Sequence, residues 1–254
     1  MSEAAPATAV TAALLIIGNE ILSGRTQDAN LAYIAKGCEA IGVRLREVRV
    51  VPDMEAEIVA GLNALRARYT YVFTTGGIGP THDDITAAAI ARAFGLAIER
   101  NAQAVAVLEA YYPPGQLTEP RLKMSEMPVG ASLIDNPVTS APGFQIGNVF
   151  VMAGVPAICK GMFDGLKSRL VGGPLMLSRS ISCPLPEGQI AEALAAIQNR
   201  YPQVEIGSYP FFRRGVPGTA LVLRSPEAAL LDEAAEAVRG MVRRLGGEPG
   251  ESAA

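Results

Sequence analysis

The chain has 254 residues, 49% of them apolar and 19% charged, with a formal net charge of −3. A chain of that size and composition buries a sizeable core, which excludes a disordered protein. Its weak negative charge excludes a general nucleic-acid binder, which carries a basic stripe. The three cysteines, Cys38, Cys159 and Cys183, show no metal or redox spacing, so reduced thiols in a cytoplasmic protein are expected. The single histidine, His82, rules out a multi-histidine metal site. No apolar run reaches the roughly 18 residues of a membrane span. Met1 to Ala9 carries no basic residue and reads as a short disordered tail, not a signal peptide.

In chain order, Ala12 to Gly18 is an apolar run ending in glycine, the pattern of a central parallel strand. The turn Asn19 to Arg25 leads to a helix from about Asp28, where Leu31, Ile34, Ala35, Cys38 and Ile41 form one apolar stripe. Cys38 on that stripe is read as core. Gly42 stops the helix, Arg44 to Val51 is a strand, Pro52-Asp53 closes it, and a helix spans about Glu55 to Arg68. A buried strand from Tyr71 to Phe73 precedes Thr74-Thr-Gly-Gly-Ile-Gly-Pro-Thr-His-Asp-Asp84, and an alanine-rich helix from Ile85 ends at Gly95.

Helices are expected at Asn101 to Tyr112 and Glu119 to Met127, and a strand at Ala131 to Ile134. Phe144 to Ile146 and Asn148 to Met152 read as a hairpin, and Pro156 opens a helix ending near Leu170. Alternating strands and helices define a doubly wound α/β sheet, which binds ligands at the carboxyl ends of its strands. Glu20, Asp53, Asp83 and Asp84 all follow strands, so they are candidates to converge on one edge.

Val171 to Pro174 is the expected boundary, giving a domain over residues 10–171 and a small α+β appendage over 178–246. The appendage reads as a strand at Ser178 to Cys183, a helix at Glu187 to Arg200, strands at Val204 to Tyr209 and Ala220 to Arg224, and a helix at Pro226 to Leu245 before a polar tail. Its Gly215-Val-Pro-Gly218, after Arg213 and Arg214, invites an RNA-binding KH reading. That loop should join two helices, and here it joins two strands. With eight Arg and Lys against seven acids between Ser178 and Gly246, no nucleic-acid partner is expected.

The glycine stretch after Phe73 carries the chemistry. Strand, glycine turn and helix is the arrangement that faces an anion with backbone N–H groups. Asp83 and Asp84 would repel a phosphate unless a divalent cation bridges them, and Mg²⁺ takes one or two carboxylates plus phosphate oxygens. The residues alone also allow a plainer reading, a tight turn with an aspartate capping the helix.

Gly18-Asn-Glu-Ile-Leu-Ser-Gly24, Asp28-Ala-Asn30, Val51-Pro-Asp53, the glycine stretch to Asp84, Pro142-Gly-Phe144 and Gly154-Val-Pro156 resemble the molybdopterin-binding (MoaB/Mog-like) domain family. The likeness is to its CinA (competence/damage-inducible protein) branch and to the N-terminal domain of eukaryotic FAD synthase. It spans Ala12 to Leu170 and is looser beyond Ser178. The resemblance implies a three-layer α/β/α fold, a site for a nucleotide or molybdopterin, and self-association, most simply as a two-fold dimer. It also implies pyrophosphate cleavage of ADP-ribose or FAD with a divalent metal, Mg²⁺ or similar, with potassium as a further candidate ion. The molybdopterin branch instead binds or adenylylates molybdopterin, and a non-catalytic nucleotide-binding module is the third reading. Asn19 departs from the family, standing where the CinA pattern has Asp and removing a possible metal ligand; Ala153 replaces the usual Pro.

On this reading Thr75, Gly76, Gly77, Gly79 and Thr81 cradle a phosphate, and Asp83 and Asp84 hold the metal with catalytic effect. Glu20 and Asp53 serve as further ligands or a base. Glu20 is equally open to being a solvated turn residue, and Asp53 takes its role mainly from the resemblance. Ser23 with Gly24, and Arg25, are candidates for a second phosphate or for plain surface. Asn30 is a ligand contact or a helix cap. Thr139 and Ser140 are within reach of a ligand, Gly154 and Pro156 shape a second turn, and His82 is a proton donor or exposed filler.

Overall fold

The computed structural model of the chain describes residues 9–213 and 216–251. All of the expected N-terminal tail except Ala9 lies outside the described residues, as do Arg214 and Gly215 of the loop considered for RNA. The chain divides between Gly173 and Pro174 into two compact units.

The first unit opens with β1 (Thr11–Ile17), a single helical turn α1 (Asn19–Leu22), α2 (Asn30–Glu39), β2 (Arg44–Val51), α3 (Glu55–Arg66), β3 (Tyr71–Thr75) and α4 (Thr86–Phe94). It continues with β4 (Ile98–Arg100), α5 (Ala102–Tyr111), α6 (Glu119–Leu122), β5 (Glu126–Pro128), β6 (Ser132–Ile134), β7 (Gly143–Ile146), β8 (Val149–Met152) and α7 (Pro156–Leu166). Six strands form one sheet in the order β2-β1-β3-β8-β7-β6, parallel from β2 to β8 and antiparallel through β7 and β6.

β1 explains the three layers. Side chains alternate across a strand, and Ala12, Leu14 and Ile16 join Ile34 and Cys38 of α2 with Met162 and Phe163 of α7 in one core. Ala13, Leu15 and Ile17 join Ile58, Leu62 and Leu65 of α3 with Ala89 and Ile90 of α4 in the other. A strand buried on both faces reads as an unbroken apolar run, as this one does.

Three sequence expectations change. Asn19 to Arg25 is not all turn, because its first four residues make α1. The expected helix Glu119 to Met127 is one α-helical turn, a 3₁₀ turn at Lys123–Ser125 and then strand β5. Met127 on that strand is buried in the second core and pairs with Glu99 of β4, so tertiary burial overrides a local helical pattern. The polar tail contains a short strand, described next.

The second unit contains β9 (Leu177–Cys183), α8 (Glu187–Arg200), β10 (Glu205–Arg213), β11 (Val216–Ser225), α9 (Ala228–Arg244) and β12 (Gly250–Glu251). Its strands form an antiparallel sheet in the order β10-β11-β9-β12. Ile181, Leu221 and Leu223 pack with Ile190 of α8 and Leu231, Val238 and Met241 of α9. All three cysteines are free and buried. No helix among the described residues is long and apolar enough to cross a membrane.

Candidate functional site

The carboxyl ends of β1, β3 and β8 meet around a cavity of about 340 Å³. Gly76 leaves β3 at φ +102°, donates its N–H to the Met152 carbonyl at 3.1 Å, and lies so close to β1 that a Cβ there would sit 2.1 Å from the Ile17 oxygen. Only glycine allows that approach. From the other side Gly154 comes within 3.2 Å of the Gly76 Cα, measured from where its own Cβ would stand. Thr86, the buried first residue of α4, donates its hydroxyl to the Gly76 carbonyl and its N–H to that of Gly77, both at 3.0 Å. Gly76, Gly77, Gly79 and Gly154 all line the cavity, and a glycine can offer only backbone atoms to it.

Two acidic residues also line it, Glu20 and Asp84. The Asp84 Oδ2 accepts from the Thr81 N–H at 2.8 Å and the Thr81 hydroxyl at 2.5 Å. Helix α4 has no side-chain cap, so the capping reading of Asp84 is replaced by one in which the carboxylate closes the turn before the helix. The Glu20 carboxylate folds back over Gly18, where a Cβ would stand 2.7 Å from both oxygens.

Asp83 and Asp53 are placed elsewhere. The Asp83 side chain is 61% exposed, 4.0 Å from the exposed His82 ring. The Thr81 hydroxyl is donated to Asp84 and not to Asp83. Asp53 accepts the Asn19 N–H at 2.9 Å, tying the end of β2 to the start of α1. Convergence of all four acids is therefore not realised. Among the described residues no three Asp, Glu, His or Cys side chains are placed to hold a metal.

Other candidates sort in the same way. Asn30 is not the cap of α2, because Asp28 accepts the N–H groups of Asn30 and Leu31 at 3.1 and 2.8 Å. The buried Asn30 amide donates instead to the Gly154 carbonyl at 2.8 Å, and its Oδ1 finds no hydrogen-bond partner among the described residues. Thr75 is buried at the end of β3, and Thr81 is exposed. Ser23, Gly24 and Arg25 are exposed, with the Ser23 hydroxyl donating to the Glu20 carbonyl at 3.2 Å. Pro156 is the exposed first residue of α7, while its neighbours Val155 and Ile158 line the cavity. Thr139 lines the cavity, and Ser140 beside it takes φ +58°, a left-handed conformation.

Sequence reasoning passed over Thr86, Asn136, Met124 and Lys123. Asn136 lines the cavity and organises its loop, accepting from the N–H groups of Val138 and Thr139 and donating to Thr139 Oγ1 and the Ala141 carbonyl. A threonine at the first helical position after a glycine loop and an asparagine opening a loop were the available signals. Met124 and Lys123 had none, because their segment reads as plain helix.

A three-layer α/β/α sheet with a cavity at the carboxyl ends of its parallel strands defines a small-molecule-binding domain. The chain belongs to the family described as a probable molybdopterin binding domain, which matches residues 13–172. Residues 175–245 match the FAD synthase middle domain. A protein from Pyrobaculum calidifontis is 36% identical over 213 residues, covering 79% of this chain and 80% of its own. A probable FAD synthase from Caenorhabditis briggsae is 30% identical across 94% of this chain, which spans 50% of that relative's length. The crystal structure of CinA from Thermoplasma acidophilum superposes with a TM-score of 0.60 at 32% identity, covering 63% of this chain and 98% of that one.

Proposed function

We propose that the protein binds the pyrophosphate of a dinucleotide such as ADP-ribose or FAD in this cavity and hydrolyses it with a divalent cation. The observation that carries the reading is the make-up of the wall, four glycines beside the acidic residues Glu20 and Asp84. The backbone N–H groups of Gly77 and Gly79 suit phosphate oxygens, while that of the buried Gly76 is already spent on the Met152 carbonyl and shapes the wall without donating to it. Two carboxylates beside a phosphate are stable only with a cation between them. Two is also the number Mg²⁺ takes when phosphate oxygens and water complete its shell. The donor set fits a cation that arrives with its phosphates and not a closed structural site. Such an ion, Mg²⁺ or similar with potassium as a further candidate, would neutralise charge on the leaving phosphate.

The chain's own part is orientation. Thr81 aims the Asp84 carboxylate, and Asn30 holds the Gly154 peptide. In the reaction a water oxygen bonds to one phosphorus and the bond from that phosphorus to the bridging oxygen breaks. ADP-ribose then yields AMP and ribose 5-phosphate, and FAD yields AMP and FMN. The matched FAD synthase middle domain and the nematode relative's name support a flavin nucleotide. The match over residues 13–172 supports the alternative, binding or adenylylation of molybdopterin.

Incubation with ADP-ribose or FAD and Mg²⁺, followed by chromatography, is expected to show AMP. Asp84→Asn is expected to abolish it with the fold intact, since an amide oxygen still accepts from Thr81. No AMP from the unaltered protein with either substrate would sink the hydrolase reading, and pterin fluorescence in freshly purified protein would favour the alternative.

A further inference from the structure

Beside the large cavity lies a compartment of about 40 Å³ that shares Gly77, Gly79 and Asp84 with it and has Lys123 in its wall. The Lys123 ammonium donates to the Thr81 carbonyl at 2.6 Å. The same residue, Thr81, spends both its N–H and its O–H on the Asp84 carboxylate. Thr81 is thus gripped at its acceptor by a cation and at its donors by an anion. A Cβ at position 79 would fall 2.7 Å from Asp84 Oδ2, so the turn is closed tightly around that carboxylate.

Lys123 does not arrive on a loose segment. Arg100 of β4 bonds Glu119 at 2.6 Å and Glu126 at 3.4 Å, bracketing it on both sides in the chain. Ser125 is fully buried, with its carbonyl accepting the Asn101 N–H at 3.0 Å and its hydroxyl donating to the Leu122 carbonyl at 2.6 Å. A surface lysine ordinarily keeps its long side chain mobile in water. Here the backbone that carries it is fixed at two points, and the ammonium makes a charge-assisted bond.

We propose that Lys123 is a positioning residue for the hydrolysis described above, on which this inference rests: it fixes Thr81, and Thr81 aims Asp84 into the cavity. Misplacing a reacting group's orientation lowers turnover more than affinity.

The test uses the full chain with Lys123→Met and Lys123→Arg. Two quantities are read, hydrogen exchange of the Thr81 amide by NMR and steady-state hydrolysis of ADP-ribose with Mg²⁺. In the Met variant the Thr81 amide is expected to exchange at least about tenfold faster while the β1 amides stay protected. Its kcat is expected to fall on the order of 100-fold with KM nearly unchanged. Arginine, which keeps charge and donors, is expected to restore both. Unchanged Thr81 exchange in the Met variant overturns the proposal. So does a rise in KM with kcat intact, which would make Lys123 a ground-state phosphate ligand, and so does loss of β1 protection, which would make it a support of the fold. If the unaltered protein turns over neither ADP-ribose nor FAD, the hydrolase reading falls and takes the catalytic part of this proposal with it, while the exchange measurement still decides whether Lys123 fixes Thr81.

Discussion

At the scale of single residues, backbone conformation separates glycines that look alike in sequence. Gly24, in the turn after α1, and Gly76, in the turn after β3, both have positive φ, +72° and +102°. A Cβ on Gly24 meets nothing within 4 Å, whereas one on Gly76 meets the Ile17 carbonyl. Gly24→Ala is expected to lower stability by about 1 kcal/mol, from left-handed strain alone. Gly76→Ala adds overlap with fixed backbone and is expected to cost about 3 kcal/mol or more. Urea titration of both variants checks the order, and equal losses would refute it. The glycine loop and Asp84 were legible because backbone approach and an acid pair leave a pattern in sequence. That Asp83 turns to solvent while Asp84 turns to the cavity was not legible, because the choice is made by one threonine's hydrogen bonds.

Among elements, the helices with a clean apolar period and the strands with continuous burial were legible within a few residues. The pair β4 and β5 was not, since three-residue strands carry too little periodicity to show. Helices α2 and α7 show what burial does to chemistry. Cys38 on the first and Cys159 on the second share a core, and burial pushes both thiols up to about 12, with Asp28 adding a smaller push at Cys159. In the unfolded chain a thiol titrates near about 8.5. Above that pH the unfolded state binds fewer protons than the folded one, so stability falls as pH rises. The contribution is whole below about pH 8.5 and is lost progressively toward pH 12, at about 1.4 kcal/mol per pH unit for each thiol. Denaturation midpoints from pH 8 to 10 should show this slope, and Cys38→Ala with Cys159→Ala should flatten it. An unchanged slope in the double variant would place the pH dependence elsewhere.

For the whole molecule, every residue of the two cores around β1 precedes Gly173 and every residue of the third follows it. Each unit therefore has its own apolar interior. A chain ending at Gly173 is expected to fold and to bind ADP-ribose with Mg²⁺ as the full chain does, which calorimetry can measure; folding with loss of binding would mean that the second unit takes part in the site. The close approach of Gly76 and Gly154 has a further consequence, in time and not in space. β3 pairs with β8 and not with the strands that follow it directly, so the two turns meet only after a long loop has closed. Non-local parallel pairing is slow. On a ribosome the first half of the sheet emerges well before β8 exists, and no ligand can help it fold, because its binding place has yet to be made.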